Sequence, residues 1–117
     1  MSSSISSFEL RLIEAVLSQQ CPSIKVSSDA LKGLLVIERS HTTAGGYIKF
    51  SEENQTFLPT HESRELGFNG AIRLPNLQFG LGAIVTMHQG KFLHIELFTY
   101  DPDRWNGDTE HAEIIPE

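Results

Sequence analysis

The chain has 117 residues, and its 9 Lys and Arg against 15 Asp and Glu give a formal net charge of −6. This length suits a single domain that buries about two-thirds of its unfolded surface without a disulfide or a metal. Hydrophobic residues make up 39% and charged residues 21% of the chain, which excludes wholesale disorder, collagen and a coiled coil. We therefore expect one globular domain over residues 1–117.

The sequence carries no membrane, secretory or disulfide signal. Its longest uncharged apolar stretch, 79–87, is far shorter than the ~20 residues of a membrane helix. The N-terminus has no basic start and carries Glu9 and Arg11 inside its apolar pattern, unlike a signal peptide. The single cysteine, Cys21, excludes an internal disulfide and fits a reducing compartment. We expect a cytoplasmic protein with no membrane partner.

The negative charge lies mainly at the C-terminal end. Residues 101–117 contain six acidic residues and one Arg, so −5 of the net −6 lies there. The basic residues are spread singly from Arg11 to Arg104. Because nucleic-acid binding normally needs a clustered basic face, we expect no nucleic-acid partner.

The N-terminal segment predicts an amphipathic helix. Ser6 and Glu9 have the S-x-x-E spacing of a capping box, so a helix should begin there. The apolar positions that follow at helical spacing are Leu10, Ile13, Val16 and Leu17. The helix should end near Gln20, and its apolar stripe should cover a sheet. A further turn of helix is expected at 30–31.

Extended patterns begin at residue 34. Segments 34–39 and 47–50 flank a Thr43-Ala44-Gly45-Gly46 turn and predict a first hairpin. The polar segment 51–67 predicts a long loop. Later strands are expected over 71–74, 81–87, 92–100 and 112–115. Together these elements predict an α+β fold, with the N-terminal helix packed on a mostly antiparallel sheet of five or six strands built from two hairpins.

The sharpest local signal is Gln89-Gly90, which predicts a two-residue type I′ turn between two strands. An unbroken register from this turn pairs Met87 with Phe92 and Val85 with His94. One face of this hairpin is then expected to meet the helix, and it holds Ile84, Thr86, Leu93, Ile95 and Leu97. The second face holds Ala83, Val85, Met87, Phe92, His94, Glu96 and Phe98.

This second face is aromatic and aliphatic but contains His94 and Glu96, which suits neither a core nor a solvent face. Three fates are open: coverage by the long loop and the C-terminal segment, a homodimer interface, or a ligand cavity in a curved sheet. Coverage within the chain is the commonest fate, since large exposed apolar patches are uncommon in monomers.

Several short motifs resemble those of a family of small uncharacterised bacterial proteins. They are Arg39-x-x-Thr42 followed by Gly46-Tyr47 and Phe50, then Gly80-Leu81-Gly82, then Gln89-Gly90, and finally Leu93-x-x-Glu96-Leu97-x-x-Tyr100. In that family an N-terminal helix precedes an R-x-x-T-G-x-G-F-[FY]-T hairpin, and a later G-x-[IL]-x-x-LE-x-[FY]-x-Y hairpin ends in an acidic tail with a Trp. The resemblance spans residues 8–105, with Ile95 in place of the family's leucine.

The resemblance implies an α+β fold, a bacterial and cytoplasmic origin, and no particular activity. It also suggests that Arg39, Gly46, Tyr47 and Glu96 act together. Arg39 and Glu96 are charges placed mid-strand, and each needs a partner if it is buried. We expect the two to form an ion pair across the sheet.

Catalytic and metal motifs are not found in the sequence. His41 and His94 could converge with Glu96 into a two-His-one-carboxylate site, but no H-x-H, H-x-x-x-H or H-E-x-x-H spacing supports it. The acidic run 101–110 does not match the ligand positions of a calcium loop. We expect Trp105 to anchor this loop on the sheet, with an exposed binding anchor as the alternative. No cofactor or metal is expected.

The leading hypothesis is a non-enzymatic binding or protein-interaction module, either accessory to another protein or an immunity-type protein that masks a basic toxin site by charge complementarity. The alternative is a small-ligand-binding protein or weak enzyme with a pocket on the second face, whose polar lining is Arg39, Tyr47, His94 and Glu96. The full set of candidate binding residues is Arg39, Tyr47, His94, Glu96, Phe98, Tyr100 and Trp105. The expected binding partner is a protein or a second copy of the chain.

Overall fold

The computed structural model describes residues 3–53, 55, 63–100 and 104–117 of the chain. These residues form two helices and eight strands. The helices are α1 (Ser7–Gln20) and α2 (Ser28–Lys32), and the strands are β1 (Ser3–Ser4), β2 (Leu35–Thr42), β3 (Gly45–Phe50), β4 (Arg64–Gly67), β5 (Gly70–Arg73), β6 (Leu81–His88), β7 (Lys91–Thr99) and β8 (Glu113–Pro116). The strands belong to one sheet and pair antiparallel, so the fold is α+β as the sequence predicts.

The sheet has more strands than the five or six expected. Its order is β1-β2-β3-β7-β6-β5-β8, and β4 also pairs with β6. The sequence pattern does not predict β1 or β4, and β4 falls within segment 51–67, which was expected to be a loop. Leu66 is the one fully buried residue of β4, so this strand shows no apolar alternation. Residues 54 and 56–62 of that segment lie outside the described residues.

α1 begins with the expected capping box. The Ser6 hydroxyl accepts a hydrogen bond from the backbone N–H of Glu9 at 3.1 Å, and the Glu9 carboxylate accepts one from the backbone N–H of Ser6 at 2.8 Å. The helix buries an apolar stripe made up of Phe8, Leu12, Ile13, Val16 and Leu17, which joins the buried sheet residues in one core cluster. The predicted helix is confirmed. Within the described ranges, no helix is long and apolar enough to cross a membrane.

The first hairpin has a tighter turn than the sequence predicts. Thr43 and Ala44 form the turn, whereas Gly45 and Gly46 are the first residues of β3. At Gly46 a Cβ atom would lie 2.6 Å from Cζ3 of Trp105, so glycine is needed for that ring to approach the strand. The two glycines therefore serve close packing within the sheet rather than the turn.

The turn of the second hairpin is confirmed. Gln89 has φ 50° and Gly90 has φ 79°, and a type I′ turn requires this left-handed region at both positions. His88 pairs with Lys91 directly beyond the turn, as expected.

The register of the second hairpin shifts at a β-bulge. Met87 pairs with Phe92 as expected, but the next pair is Thr86 with His94, so Leu93 has no partner in β6. Because side chains alternate between faces, one extra residue inverts the faces of all that follows in β7. Beyond the bulge, Ile95 and Leu97 lie on the side of α1 and His94, Glu96 and Phe98 on the opposite side, as expected. The residues expected on the wrong side are those of β6 together with Phe92: Ile84 and Thr86 face away from α1, whereas Ala83, Val85, Met87 and Phe92 face it.

We call the side of the sheet that packs on α1 the inner face and the opposite side the outer face. Residues paired across neighbouring strands point to the same side, so the register assigns each residue to a face. The inner face holds the buried residues Ile48, Ala83, Val85, Met87, Phe92, Ile95 and Leu97. The outer face holds Glu38, Ser40, Tyr47, Lys49, Ile84, Thr86, His94, Glu96 and Phe98.

Candidate functional site

The candidate residues divide between the two faces of the sheet. The outer face carries Tyr47, His94, Glu96 and Phe98, and Tyr100 follows just beyond β7. Arg39 pairs with the buried Ile48 and so points to the inner face, where Trp105 also lies. The sheet therefore separates Arg39 from His94 and Glu96, and the expected pocket that would join them on one face is not formed.

On the outer face, Tyr47, His94 and Glu96 form a chain of contacts across β3 and β7. The ring centroids of Tyr47 and His94 are 4.8 Å apart, and Nε2 of His94 lies 3.6 Å from a carboxylate oxygen of Glu96. The His94 side chain is 16% exposed and that of Glu96 is 52% exposed. Nδ1 of His94 is buried without a hydrogen-bond partner in the described part of the chain.

Phe98 and Tyr100 extend this surface along β7. Their rings contact edge to face, with centroids 5.7 Å apart, and 37% of Phe98 and 45% of Tyr100 is exposed. A Cβ atom at Gly82 would collide with the Phe98 ring and lie 2.8 Å from the Tyr100 hydroxyl. The two rings thus cover the glycine on the neighbouring strand, and this contact fixes their position. We call the residues Tyr47, His94, Phe98 and Tyr100 the aromatic patch.

Arg39 forms its ion pair with Glu9 of α1 and not with Glu96. Its Nε and Nη2 atoms donate to the two carboxylate oxygens of Glu9, each at 2.8 Å. Nη1 donates to the Ser3 hydroxyl at 2.8 Å, and Nη2 donates to the Ser4 carbonyl at 2.9 Å. One guanidinium therefore joins β1, β2 and α1. The expected ion pair with Glu96 is wrong, because the two residues lie on opposite faces of the sheet.

The ion pair keeps Glu9 charged inside the protein. Burial raises the pKa of this carboxyl, but hydrogen bonds from Arg39 and Ser6 and the Arg39 charge together hold the pKa below its ordinary value of 4.5. The hydrogen bond to Glu9 raises the pKa of Arg39. Only 4% of the Glu9 side chain is exposed, against 40% of the Arg39 side chain. The charge that a ligand can reach is therefore the guanidinium.

A pocket of about 140 Å³ opens beside this ion pair, where the start of α1, the first hairpin and segment 104–111 meet. Its polar lining includes Ser6, Arg39, His41 and Thr109, and its apolar lining includes Ile48, Leu97 and Trp105. Gly107, with φ +87°, lies against the His41 ring, since a Cβ atom there would be 2.6 Å from the ring Cε1. We call this cavity the inner pocket.

Trp105 anchors its loop to the first hairpin. Its indole N–H donates to the carbonyl of Asp108 at 2.9 Å, and its backbone N–H donates to the carbonyl of Thr43 at 3.0 Å. The side chain packs edge-on against His41, and the residue is 5% exposed. Trp105 is thus a buried anchor, and the alternative of an exposed binding anchor is wrong. Residues 101–103 of the acidic run lie outside the described residues.

Asp108, Glu110 and His111 bring three groups of metal-ligand type within 4.8 Å of one another. The Asp108 carboxylate already accepts the backbone N–H of Glu110 at 2.9 Å and lies 3.3 Å from Nδ1 of His111. These contacts, the backbone hydrogen bond first, lower the pKa of Asp108. A loop closed by its own side chains accounts for the cluster. The two-His-one-carboxylate site of His41, His94 and Glu96 does not form, because His41 lies on the inner face and His94 on the outer face.

Sequence reasoning missed Glu9 and His41 as parts of the inner pocket. A signal existed for Glu9, because a mid-strand Arg under a covering helix needs an anion, and the first turn of α1 supplies this one. No local signal existed for His41, since Trp105 and Gly107, which contact its ring, come from a distant loop. Comparison of the chain with models of known protein families, with curated proteins and with solved structures finds no match.

Proposed function

We propose that this chain is a non-enzymatic protein-interaction module that docks a basic protein on the outer face of its sheet. The observation that carries this proposal is the aromatic patch. Phe98 and Tyr100 are about two-fifths exposed at the end of a central strand, so the described residues leave these rings open to solvent. Exposed apolar patches rimmed by polar residues mark interaction sites on proteins.

The aromatic patch is also held in a fixed shape, which favours binding. The Phe98 ring packs over Gly82 and against Tyr100, and the rings of Tyr47 and His94 contact each other at a tilt. Aromatic side chains offer a large contact area for few rotatable bonds, and rings that are already positioned lose little further entropy when a partner docks. Such residues carry most of the binding energy in many interfaces.

Charge indicates the kind of partner. The chain carries a net charge of −6, and the outer face presents the exposed carboxylates Glu38 and Glu96 beside the half-buried Lys49. A basic protein is attracted to this chain at long range, whereas a second copy is repelled. An immunity-type protein that masks a basic toxin site is one form of this proposal. The bacterial family and the cytoplasmic setting belong to the same proposal and rest on the sequence.

The test is affinity capture from a lysate of the source organism with three versions of the chain: wild type, Tyr100→Asp and Glu96→Lys. Tyr100→Asp places a charge in the aromatic patch and should lower the affinity for a stoichiometric basic partner at least about tenfold, or ~1.4 kcal/mol. Glu96→Lys should slow association, and more so at low salt. Quantitative mass spectrometry measures the retained protein, and association rates follow with the purified partner.

Glu14→Lys is the matched control, because it makes the same charge reversal as Glu96→Lys on the exposed side of α1. This control should retain the partner as wild type does, and melting curves establish that each variant is folded. A partner that is held equally by wild type, Tyr100→Asp and Glu96→Lys would show that the outer face is not the docking surface. A captured partner with an acidic contact surface would contradict the charge argument.

A further inference from the structure

The inner pocket presents several hydrogen-bond donors around the Arg39 guanidinium. Of the five N–H groups of Arg39, four are bonded to α1 and β1 in the described part of the chain, which leaves one on Nη1. His41 lines the same pocket, and its ring nitrogens have no hydrogen-bond partner among the described residues. The hydroxyl groups of Ser6 and Thr109 can donate two further hydrogen bonds.

Among the described residues that line the pocket, Glu9 carries the only carboxylate, and this group is already used. The Glu9 carboxylate accepts two N–H groups from Arg39 and one from Ser6, and its side chain is 4% exposed. The ion pair also fixes the guanidinium, so Arg39 does not have to lose side-chain freedom when a ligand arrives. An oriented cation surrounded by donors selects an anion.

The size and the apolar lining of the pocket indicate how large the anion is and that part of it is apolar. A volume of about 140 Å³ is close to that of a cavity of ~150 Å³ that holds benzene. Ile48, Leu97 and Trp105 offer hydrocarbon and aromatic contacts that inorganic phosphate cannot use. We propose that the inner pocket binds a small organic carboxylate, with the carboxylate at Arg39 and His41 and a short apolar tail against Trp105.

The protein carries its own reporter for this site, because Trp105 is the only tryptophan in the chain and lines the pocket. The test titrates butyrate and benzoate and follows Trp105 by fluorescence for butyrate and by its indole N–H resonance for both acids. Butyramide and benzamide, which have the same shape without the charge, are the matched neutral probes. We expect saturable binding of at least one acid with a Kd of about 1 mM. The carboxamides should bind at least about tenfold more weakly.

Variants locate the binding at the proposed donors. His41→Ala and Thr109→Val should each weaken butyrate or benzoate binding about tenfold or more, the effect of losing one hydrogen bond to a charged group. His88→Ala, at the end of β6, removes an exposed histidine outside the pocket and should leave the binding of both acids unchanged. Arg39→Lys keeps the positive charge but loses the bidentate geometry of the guanidinium, so it is a further probe of carboxylate binding. Melting curves show whether this variant is folded.

Three results would overturn the proposal. The first is the absence of a saturable change at Trp105 with either acid up to about 50 mM, well above the expected Kd. The second is equal binding of acids and carboxamides, or binding that His41→Ala and Thr109→Val leave unchanged. The third is tighter binding of a tripeptide with a free C-terminus, such as Gly-Gly-Phe, than of either acid. That result would assign the pocket to the end of a protein chain.

Discussion

Glu9 shows at the scale of a single residue how one side chain can join two elements. Its carboxylate completes the capping box of α1 with Ser6 and holds Arg39 of β2. The sequence pattern predicts the first role, because the capping box spans only four residues. The second role depends on how α1 lies over the sheet, which the local pattern does not contain.

Replacing Glu9 with Gln should lower the free energy of unfolding by about 2 kcal/mol, a value within the range for hydrogen bonds to charged groups. The Gln side chain can still accept the N–H of Ser6, so the loss reports mainly on Arg39. Urea denaturation measures the change. Glu14→Gln, an exposed carboxylate on the same helix, is the control and should stay within about 0.5 kcal/mol of wild type. Equal losses in both variants would contradict a special role for the Glu9–Arg39 pair.

The pH dependence of this difference follows from the direction of the Glu9 pKa. Because folding lowers the pKa of Glu9 below 4.5, the ionised pair stabilises the folded protein fully above that pH. The stabilisation is lost as the pH falls through the lower, folded-state pKa. The gap in unfolding free energy between wild type and Glu9→Gln should therefore be constant from about pH 6 to 8 and shrink below about pH 4.5. A gap that grows on acidification would reverse the assigned sign.

At the scale of elements, the sequence predicts those features that depend on nearby residues. The capping box of α1 and the Gln89-Gly90 turn are both confirmed, since a few adjacent residues specify each. The bulge at Leu93 is different. Gln55, far from it in sequence, donates a hydrogen bond to the carbonyl of the adjoining Phe92 and accepts one from its N–H. A contact between such distant residues leaves no periodic signal in either segment.

The candidate site was predicted in part for the same reason. The alternation along β7 correctly groups His94, Glu96 and Phe98 on one face, because they lie beyond the bulge and keep their spacing. The bulge changes their neighbours on β6, which are Ile84 and Thr86 instead of Ala83 and Val85. The short strands β1 and β4 were missed because strand pairing, rather than an alternating apolar pattern, defines them.

Because of the bulge, Leu93 can be deleted from β7 without moving the residues that follow it to the opposite face of the sheet. Deleting Leu93 would leave Phe92 on the inner face and His94 on the outer face in regular alternation. We expect this variant to fold with a melting temperature lowered by about 5–10 °C, for the loss of roughly 1–2 kcal/mol of local packing. Circular dichroism and a two-dimensional amide NMR spectrum check the fold.

Deletion of Glu96 is the matched control. It removes one exposed residue from the same strand but moves Leu97 from the core to the outer face. This variant should fail to fold cooperatively, because it exposes an apolar set and places polar groups inside. If both deletions fold equally well, or if deletion of Leu93 is the more damaging, the register that defines the outer face is wrong.

At the scale of the whole molecule, the sheet separates two surfaces with different properties. The aromatic patch on the outer face is open and lies among carboxylates, whereas the inner pocket is small and rich in donors. The two surfaces share β3, β7 and the side chain of Tyr47, which belongs to the aromatic patch and also lines the inner pocket. The proposed carboxylate contacts, Arg39 and His41, lie on the inner face, so a protein partner on the outer face does not contact them.

The net charge of the chain opposes the association of two copies. Two copies that met through their outer faces would repel each other, because each carries a net charge of −6. At ~0.01 M salt the screening length is ~30 Å, so this repulsion is largely retained. We therefore expect sedimentation at micromolar concentration and about 0.01 M salt to show one species with the mass of a single chain. About 0.5 M salt weakens the repulsion, so it is the condition most favourable to a dimer. A dimer that persists at low salt, and that Tyr100→Asp dissociates while Glu14→Lys does not, would make the outer face a self-association surface and the proposed basic partner wrong.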